Sequence, residues 1–395
     1  MRMVAYLATQ HTTARVPLQP RASLWYRTCM ANGSDDFEVI IAGASYAGLT
    51  AARHLDRHGH RVLLLDEHAI GAVRHSACAV PTRTLADVGG LAGSLQETEW
   101  GVIHTKLNTV RYHSPEPWMV FDHRAVCAAL REQAPNVPFM QARIAKFDGH
   151  AVTTDKGVFA ARYFLDATGW RAALASALRP GFVDRGQLTI GMEVTVPYHT
   201  DALHFYVNRE IVRWGYGWIF PCGEEARVGI GAFDNQKGVP DLLRAFLRRL
   251  GMPDDLRRVE RTGGFLPWQQ RPGVVNNLWL LGDAAGHCLP LTGEGIRFAF
   301  QDGDAAGRLL DGALSGKHAW GDAGISYAGA IARHRARVGS FTHLQRFVRH
   351  VPNVAIAPMA WLLARRPIRR RALARYLSWE HDACPMVSER TQHAM

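Results

Sequence analysis

Asp283 is the residue whose neighbours in the sequence point most directly to chemistry. It follows the apolar run Leu278 to Leu281, and a loop rich in glycine and proline then leads into a helix that begins near 293–296. A carboxylate at the end of a buried strand can accept hydrogen bonds from the hydroxyls of a sugar chain. The amides and positive dipole end of the helix can face a ring that becomes anionic. We therefore predict a ligand site at this loop.

A second glycine turn lies near the start of the chain, between an apolar run that begins at Val39 and a helical pattern. Gly43 permits a tight turn, Gly48 lets the helix pack on the strand, and the amides at the helix start can hold a pyrophosphate. A second apolar run ends in Asp66, which can accept ribose hydroxyls. This order is typical of a βαβ dinucleotide-binding unit, although Ser45 replaces the middle glycine. The alternative is a βαβ unit without a ligand.

The loop 68–81 and the helix that follows Asp122 supply further candidates. In βαβ nucleotide folds such a loop runs over the ligand, so Arg74 and Cys78 could face its reactive ring. The alternative for Cys78 is a small packed side chain. Asp122 is the predicted N-cap of this helix. Arg124, in its first turn, could reach a phosphate or could be a solvated helix residue.

The segment 188–233 alternates in the way expected of an antiparallel sheet. Tyr216, Trp218 and Phe220 share one face, which could line an apolar substrate pocket or belong to the core. An amphipathic helix is predicted over 240–250. The segment 99–121 predicts a hairpin that turns at 114–117, and a buried strand ends at Asp166.

Composition limits the function. The net charge is +11, but residues 1–34 carry four Arg without an acid and residues 331–395 carry twelve Arg against three acids, so the central body is near neutral. This distribution argues against a nucleic-acid partner. The six cysteines form no C-x-x-C pair, so we expect reduced thiols, no metal site and a cytoplasmic location.

The two ends of the chain have their own predicted roles. Residues 1–36 are expected to be a disordered extension, with a transit peptide as the alternative. No apolar run is long enough to span a membrane. Near the other end, the apolar stretch 351–364 precedes the Arg-rich stretch 365–371, which suits peripheral contact with an anionic membrane or a capping helix with a solvated Arg face.

Two motifs resemble the geranylgeranyl reductase family, within the flavoprotein superfamily of the p-hydroxybenzoate hydroxylase fold. The first is G-D-A-A-G followed by P-x-T-G-E-G-I, which matches 282–286 and 290–296. The second is Tyr-x-Trp-x-Phe-Pro followed by Gly-x-Gly, which matches 216–221 and 229–231. The resemblance covers about residues 37–345 and implies FAD as the cofactor.

The resemblance also implies roles for individual residues. Gly43, Ser45, Gly48 and Asp66 would hold the ADP half of FAD, Arg124 its phosphate or ribityl region, and Gly282 and Asp283 its ribityl chain. Gly293, Gly295 and Ile296 would lie against the pyrimidine edge of the flavin. The substrate pocket would contain Tyr216, Trp218, Phe220 and Pro290, and the catalytic candidates are Cys78, Tyr216 and Trp218.

The predicted fold is α/β: a Rossmann-like FAD-binding domain (37–185 and 270–330) of p-hydroxybenzoate hydroxylase type, an inserted antiparallel β-sheet substrate domain (186–269) and a basic helical C-terminal region (331–395). The leading function is reduction of carbon–carbon double bonds in an apolar, prenyl or quinone-like substrate, with NAD(P)H as electron donor. The alternatives are an FAD-dependent monooxygenase and a non-catalytic membrane-surface flavoprotein. Halogenation is disfavoured because no Lys occurs between Asp66 and Lys106.

Overall fold

The computed structural model describes residues 37–377 except 76, 234–237 and 258. The predicted extension 1–36 and the last part of the predicted C-terminal region, 378–395, lie outside the described residues. Within the described part, the chain forms two large β-sheets with helices packed against them.

The first sheet is mostly parallel and contains the predicted βαβ unit. Its central strand β1 (Phe37–Ala42) is parallel to β2 (Val62–Asp66) on one side and to β9 (Gly157–Asp166) on the other. Almost all of β1 is buried, as expected for a parallel strand covered on both faces. The remaining strands are β6 (Phe139–Gln141) beside β2, β15 (Val274–Val275) and β16 (Leu278–Leu280) beyond β9, and the hairpin β7 (Ile144–Phe147) and β8 (Ala151–Thr154).

The second sheet is mostly antiparallel and is built from two separate stretches of chain. In spatial order its strands are β14 (Arg261–Pro267), β10 (Leu188–Pro197), β13 (Glu225–Ala232), β12 (Gly215–Cys222), β11 (Leu203–Tyr206), β4 (Ser94–His104), β5 (Thr109–Phe121) and β3 (Ala79–Pro81). The sheet predicted from the sequence covered only 186–269, and the observed sheet also contains the strands between 79 and 121. The predicted domain boundaries themselves stay predictions.

The predicted turn at 114–117 is wrong, because the β4–β5 hairpin turns at 105–108. Pairing shifts between Thr98, opposite Trp118, and Trp100, opposite His113. The stretch 114–117 therefore faces Glu99 alone as a bulge within β5. A bulge accepts Pro115 and Pro117 without demanding amide donors from them.

Helices cover both faces of the first sheet. One face packs against α1 (Tyr46–Arg57), α3 (His123–Glu132) and α6 (Ile296–Leu314), and the other against α4 (Ala173–Leu178). Helices α1 and α6 can approach closely because residue 303 is a glycine. A Cβ at this position would lie 2.3 Å from the Ala47 carbonyl oxygen. The short helix α2 (Thr82–Asp87) follows β3, and α5 (Val239–Arg249) packs its apolar face on the second sheet, which confirms the amphipathic helix predicted there.

Three helices end the described chain: α7 (Trp320–Val348), α8 (Asn353–Ala364) and α9 (Arg366–Leu377). Helix α7 packs against α6 and β15, while α8 and α9 lie against β5. Among the helices that the structure describes, none combines the length and the apolar character needed to cross a membrane.

Candidate active site

The first glycine turn has the geometry of a close phosphate-binding turn. Gly43 has a φ of +106°, and a Cβ there would lie 2.1 Å from the Ala167 carbonyl oxygen. A Cβ on Gly48 would lie 1.9 Å from the Gly43 oxygen, so neither position admits a side chain. Ser45 is the N-cap of α1 and has extended backbone, which a non-glycine residue adopts without strain. The first amides of α1 therefore face the carboxyl edge of the sheet, where an anionic group can bind.

Asp66 lies beside this turn, at the end of β2. Its carboxylate accepts hydrogen bonds of 2.8 Å from the Ala44 amide and 2.8 Å from the His68 amide. The two bonds fix the carboxylate at the sheet edge, as the sequence predicted, and its remaining lone pairs can still accept ribose hydroxyls.

Arg124 lies in the first turn of α3 with an exposed side chain. Asp122 is the N-cap of this helix and accepts a 2.7 Å hydrogen bond from the Ala125 amide, which confirms the predicted cap. Gly71, in the loop after β2, comes so close that a Cβ there would lie 3.0 Å from the Cα of Arg124. The structure thus brings the Arg124 helix to the loop that follows Asp66.

The second glycine loop starts at a 3-10 turn, Gly282–Ala285, directly after β16. Gly282 and Gly293 both have positive φ, +55° and +68°. The Gly282 amide donates to Asp302 of α6 at 2.7 Å, and His287 Nδ1 lies 2.7 Å from the same carboxylate oxygen. These contacts join both ends of the turn to α6, whose first residue is Ile296.

Asp283 projects from this turn. Burial raises the pKa of its carboxyl to about 6, and the nearby cation Arg271 opposes that rise. A Cβ on Gly295 would lie 3.0 Å from Asp283 Oδ1, so the glycine at this position leaves room for the carboxylate. The structure therefore brings together Gly282, Asp283, Gly293, Gly295 and Ile296, the residues that the family resemblance implied for the flavin end of the site.

Arg271 is a residue that sequence reasoning missed. Its side chain is 2% exposed, and Nη1 donates to the carbonyl oxygens of Trp170 (3.1 Å), Asp283 (3.2 Å) and Ala284 (3.2 Å). A buried guanidinium that donates to several carbonyls orders the loops that carry them. Arg271 therefore joins the loop after β9 to the turn that carries Asp283. The one feature of the sequence that marks Arg271 is its position between Pro267 and Pro272, shortly before β16.

The carboxylate of Asp166, at the end of β9, has a structural role. Oδ2 accepts from the amides of Leu174 and Ala175, each at 3.0 Å, and Oδ1 accepts from the Thr168 hydroxyl at 2.6 Å. It thereby satisfies the start of α4. Asp166 lies at the end of the strand, as the sequence predicted. Its carboxylate is already hydrogen-bonded to groups of the protein.

Tyr216, Trp218 and Phe220 lie on one face of β12, as their alternation predicts. The Trp218 ring lies over glycines of neighbouring strands: a Cβ on Gly229 would be 2.4 Å from it, and Cβ atoms on Gly191 and Gly231 would be 3.6 and 3.5 Å away. The Gly-x-Gly motif therefore provides the flat surface on which the indole packs. Gly217, on the opposite face of β12, contacts Phe246 of α5.

Tyr216 connects the aromatic face to the second glycine loop. Its hydroxyl donates to the Thr292 carbonyl oxygen, and a Cβ on Gly293 would lie 3.5 Å from that hydroxyl. Pro290 is buried within the same loop. Among the aromatic residues predicted for the pocket, Tyr216 thus contacts the predicted cofactor loop.

A buried charge network, also missed from the sequence, supports Trp218. Glu193 of β10 is 2% exposed; it accepts from Trp218 Nε1 at 3.0 Å and from Arg74 Nη1 at 2.8 Å. Burial raises the pKa of Glu193, while Arg74 and Arg227 oppose that rise. The loop that carries Arg74 and Cys78 is in this way held against the second sheet.

Cys78 is fully buried and has a φ of +54°, which is uncommon for a residue with a side chain. Its sulfur lies 3.5 Å from the Tyr46 hydroxyl, which lies 2.7 Å from His123 Nδ1. Burial raises the pKa of the thiol and lowers that of His123 to about 4. At neutral pH the thiol is protonated, so it can donate a proton but is a poor nucleophile. Its polar neighbour is Tyr46 rather than Tyr216 or Trp218.

Comparison with known proteins relates these features to enzymes. The chain is 28% identical over 318 residues to digeranylgeranylglycerophospholipid reductase 2 of Methanopyrus kandleri, covering 71% of this chain and 78% of the relative. No family model matches. A geranylgeranyl bacteriochlorophyll reductase-like protein from Thermoplasma acidophilum superposes with a TM-score of 0.75 at 18% identity, over 87% of this chain and 96% of that one.

A second solved structure has the same fold. It is described as a probable FAD-dependent monooxygenase from Pseudomonas aeruginosa, and it superposes with a TM-score of 0.64 at 18% identity, over 82% of this chain and 98% of that one. The predicted fold class is confirmed by both structures. Together with the sequence relatives, they confirm the predicted resemblance to an enzyme family of FAD-dependent oxidoreductases and argue against the non-catalytic alternative.

Proposed function

We propose that this chain is an FAD-dependent oxidoreductase of the geranylgeranyl reductase type and that it reduces carbon–carbon double bonds in an apolar, prenyl-type substrate. The observation that carries the proposal is the contact between Tyr216 and Thr292, which places an aromatic face beside the second glycine loop. The relative from Methanopyrus kandleri is named for a substrate with prenyl chains, and we extend that class of substrate to this chain.

The described residues fit FAD. Gly43 and Gly48 leave no room for side chains where a pyrophosphate must approach the backbone, and Asp66 is held at the edge where the ribose would lie. Arg124 would pair with a phosphate, and Asp283 would accept ribityl hydroxyls. When bound, FAD would take electrons from NAD(P)H and supply the hydride.

The chain's own residues would orient the substrate and exclude water. The rings of Tyr216 and Trp218, with centroids 5.9 Å apart, would form one wall of an apolar pocket for a prenyl chain, and Phe220 and Pro290 would extend it. Trp218 is 9% exposed and is held by its bond to Glu193 and by the glycines beneath its ring, so its position would be fixed before the substrate binds.

Reduction of a double bond requires a proton as well as a hydride, because one carbon accepts the hydride and the other accepts the proton. We assign the proton to the Cys78 thiol, with a held water as the alternative. The hydrogen bond from Tyr46 would stabilise the thiolate that forms, and the Tyr46–His123 pair would help to return a proton to it. No oxygen is consumed in this reaction.

The experiment is a comparison of lipid and quinone extracts from cells with and without the protein, by mass spectrometry. Reductase activity predicts an apolar compound that is heavier by two hydrogens only when the protein is present. A compound heavier by one oxygen would instead support the monooxygenase, which the shared fold leaves as the second candidate. Cells that express the Gly43→Leu variant, which should not bind FAD, provide the matched control.

A further inference from the structure

Helix α8 presents its large apolar side chains to solvent. The exposed residues are Val354, Met359, Trp361, Leu362 and Leu363, which are between 43% and 66% exposed and are called the apolar face below. The residues that α8 buries are the small Ala357 and Ala360. A surface helix normally turns its large apolar residues toward the core. This helix does the opposite, which marks the face as a contact surface.

The helix is fixed to the protein, so its exposed face has a defined direction. At its start, the Asn353 side chain accepts from the Arg209 amide at 3.1 Å and donates to Asn208 at 3.2 Å. In its middle, the Asn108 side chain donates to the Ala357 carbonyl oxygen at 3.1 Å. Leu107, in the same β4–β5 turn, is 60% exposed and adds to the apolar surface.

Positive charge adjoins the apolar face. Arg365, Arg366, Arg370 and Arg371 are exposed, and no Asp or Glu occurs between Asp322 and Glu380. The Arg365 guanidinium lies 3.7 Å from the centroid of the Trp361 ring. An apolar face that includes an aromatic ring and is bordered by cations matches the boundary between acyl chains and anionic headgroups.

We propose that α8 and α9 form a docking surface for an anionic lipid bilayer. The apolar face lies among the acyl chains, and the arginines contact headgroup phosphates. With 12 residues, α8 is too short to span a bilayer and lies in its surface. A second copy of the chain fits less well, since a symmetric contact through α8 would bring the acid-free, Arg-rich α9 helices of the two copies close together.

The surface is linked to the candidate active site. The Tyr376 hydroxyl of α9 donates to Glu294, which also accepts from Arg297 Nη2 at 2.9 Å. Glu294 belongs to the second glycine loop, next to Gly293 and Gly295. Docking through α8 and α9 would therefore bring this loop close to the bilayer. The docking itself does not depend on the proposed reductase activity.

The test is flotation of the full chain with vesicles of phosphatidylcholine, with and without phosphatidylglycerol, in the absence of substrate. We expect binding only to the anionic vesicles, and a loss of at least about tenfold in partitioning for Arg366→Glu with Arg370→Glu. The double variant Trp361→Glu with Leu362→Glu should lose binding to a similar degree. The matched controls are Arg179→Glu and Ile325→Glu, whose parent residues are exposed elsewhere.

Three results would overturn the proposal. The first is a wild-type chain that does not float with anionic vesicles. The second is undiminished binding by either double variant. The third is a dimer in solution that Trp361→Glu with Leu362→Glu dissociates while no vesicle binding occurs. Because the flotation test contains no substrate, a failed reductase assay would not change its result. A failed flotation test would likewise leave the proposed reductase activity unaffected.

Discussion

The hydroxyl of Tyr216, on β12 of the second sheet, donates a hydrogen bond to the carbonyl of Thr292, in the loop before α6. The bond joins the two β-sheet halves of the molecule at the place where cofactor and substrate are expected to meet. Removal of the hydroxyl alone, in Tyr216→Phe, should keep the aromatic surface and loosen the loop.

For Tyr216→Phe we expect kcat/KM to fall about fivefold, since one hydrogen bond contributes about 1 kcal/mol. Flavin content should be unchanged, because none of the proposed ADP contacts is altered. Steady-state kinetics and the flavin absorbance measure the two effects. Tyr198→Phe, at a half-exposed tyrosine beyond β10, is the control, and equal kinetics for both variants would show that the Thr292 bond is irrelevant to activity.

Gly229→Ala tests the packing of Trp218. The added Cβ would lie 2.4 Å from the indole, so the ring must move away from the sheet and from Glu193. Overpacking of this kind should lower the free energy of unfolding by about 2 kcal/mol. Urea denaturation measures it. Gly339→Ala, at a helical glycine with no atoms within 4 Å of its Cβ position, should be neutral or slightly stabilising; a loss equal to that of Gly229→Ala would argue against the packing explanation.

Ser45 tests the first glycine turn. Its backbone is extended, so Ser45→Gly should retain or gain flavin, while Ser45→Leu places bulk where the pyrophosphate approaches and should give a colourless protein. The ratio of flavin absorbance to protein absorbance in purified samples reports both outcomes. A yellow Ser45→Leu protein with full flavin content would place the pyrophosphate elsewhere.

Asp283 predicts a pH dependence of stability in the flavin-free protein. Burial raises its pKa to about 6, above the ordinary value of 3.8. The folded state therefore holds this proton more tightly than the unfolded state, and the contribution of Asp283 to stability falls as the pH rises from about 4 to about 6. Asp283→Asn removes the effect, so the stability of this variant relative to wild type should increase over that window. A constant difference between the two proteins from pH 4 to 7 would show that the carboxyl titrates normally.

Cys78→Ala tests the assigned proton donor. Reduction of the bound flavin by NAD(P)H should proceed at the wild-type rate, while reoxidation by the apolar substrate should slow about a hundredfold, as expected for loss of a general acid. Stopped-flow absorbance separates the two half-reactions. Cys222→Ala removes a half-buried thiol at the end of β12 and should affect neither. Equal reoxidation rates for both variants would favour the held water as the donor.

The sequence predicted those parts of the fold that depend on local pattern. The βαβ unit from β1 to Asp66, the cap at Asp122 and the aromatic alternation in β12 all follow from neighbouring residues. The turn of the β4–β5 hairpin was predicted at the wrong place, because Pro115 and Pro117 are typical of turns as well as of bulges. The second sheet was only partly predicted, since the pairing of β4 with β11 joins residues about a hundred positions apart.

The candidate site shows the same division. The spacing of Gly43, Ser45, Gly48 and Asp66, and of Gly282 to Ile296, was informative because each set lies within one short stretch of chain, a βαβ unit in the first case and a strand-to-helix loop in the second. Arg271 and Glu193 were missed because their partners are distant in sequence and no motif marks them. Cys78 lies beside Tyr46, a residue that the sequence did not single out.

The most direct test of the central claim is anaerobic turnover. Enzyme reduced with NAD(P)H and freed of oxygen is mixed with a prenyl lipid that carries isolated double bonds, and the product is analysed by mass spectrometry. Reductase activity predicts reoxidised flavin and a product heavier by two hydrogens without any oxygen. Flavin that stays reduced until oxygen is admitted, followed by a product heavier by one oxygen atom, would contradict it.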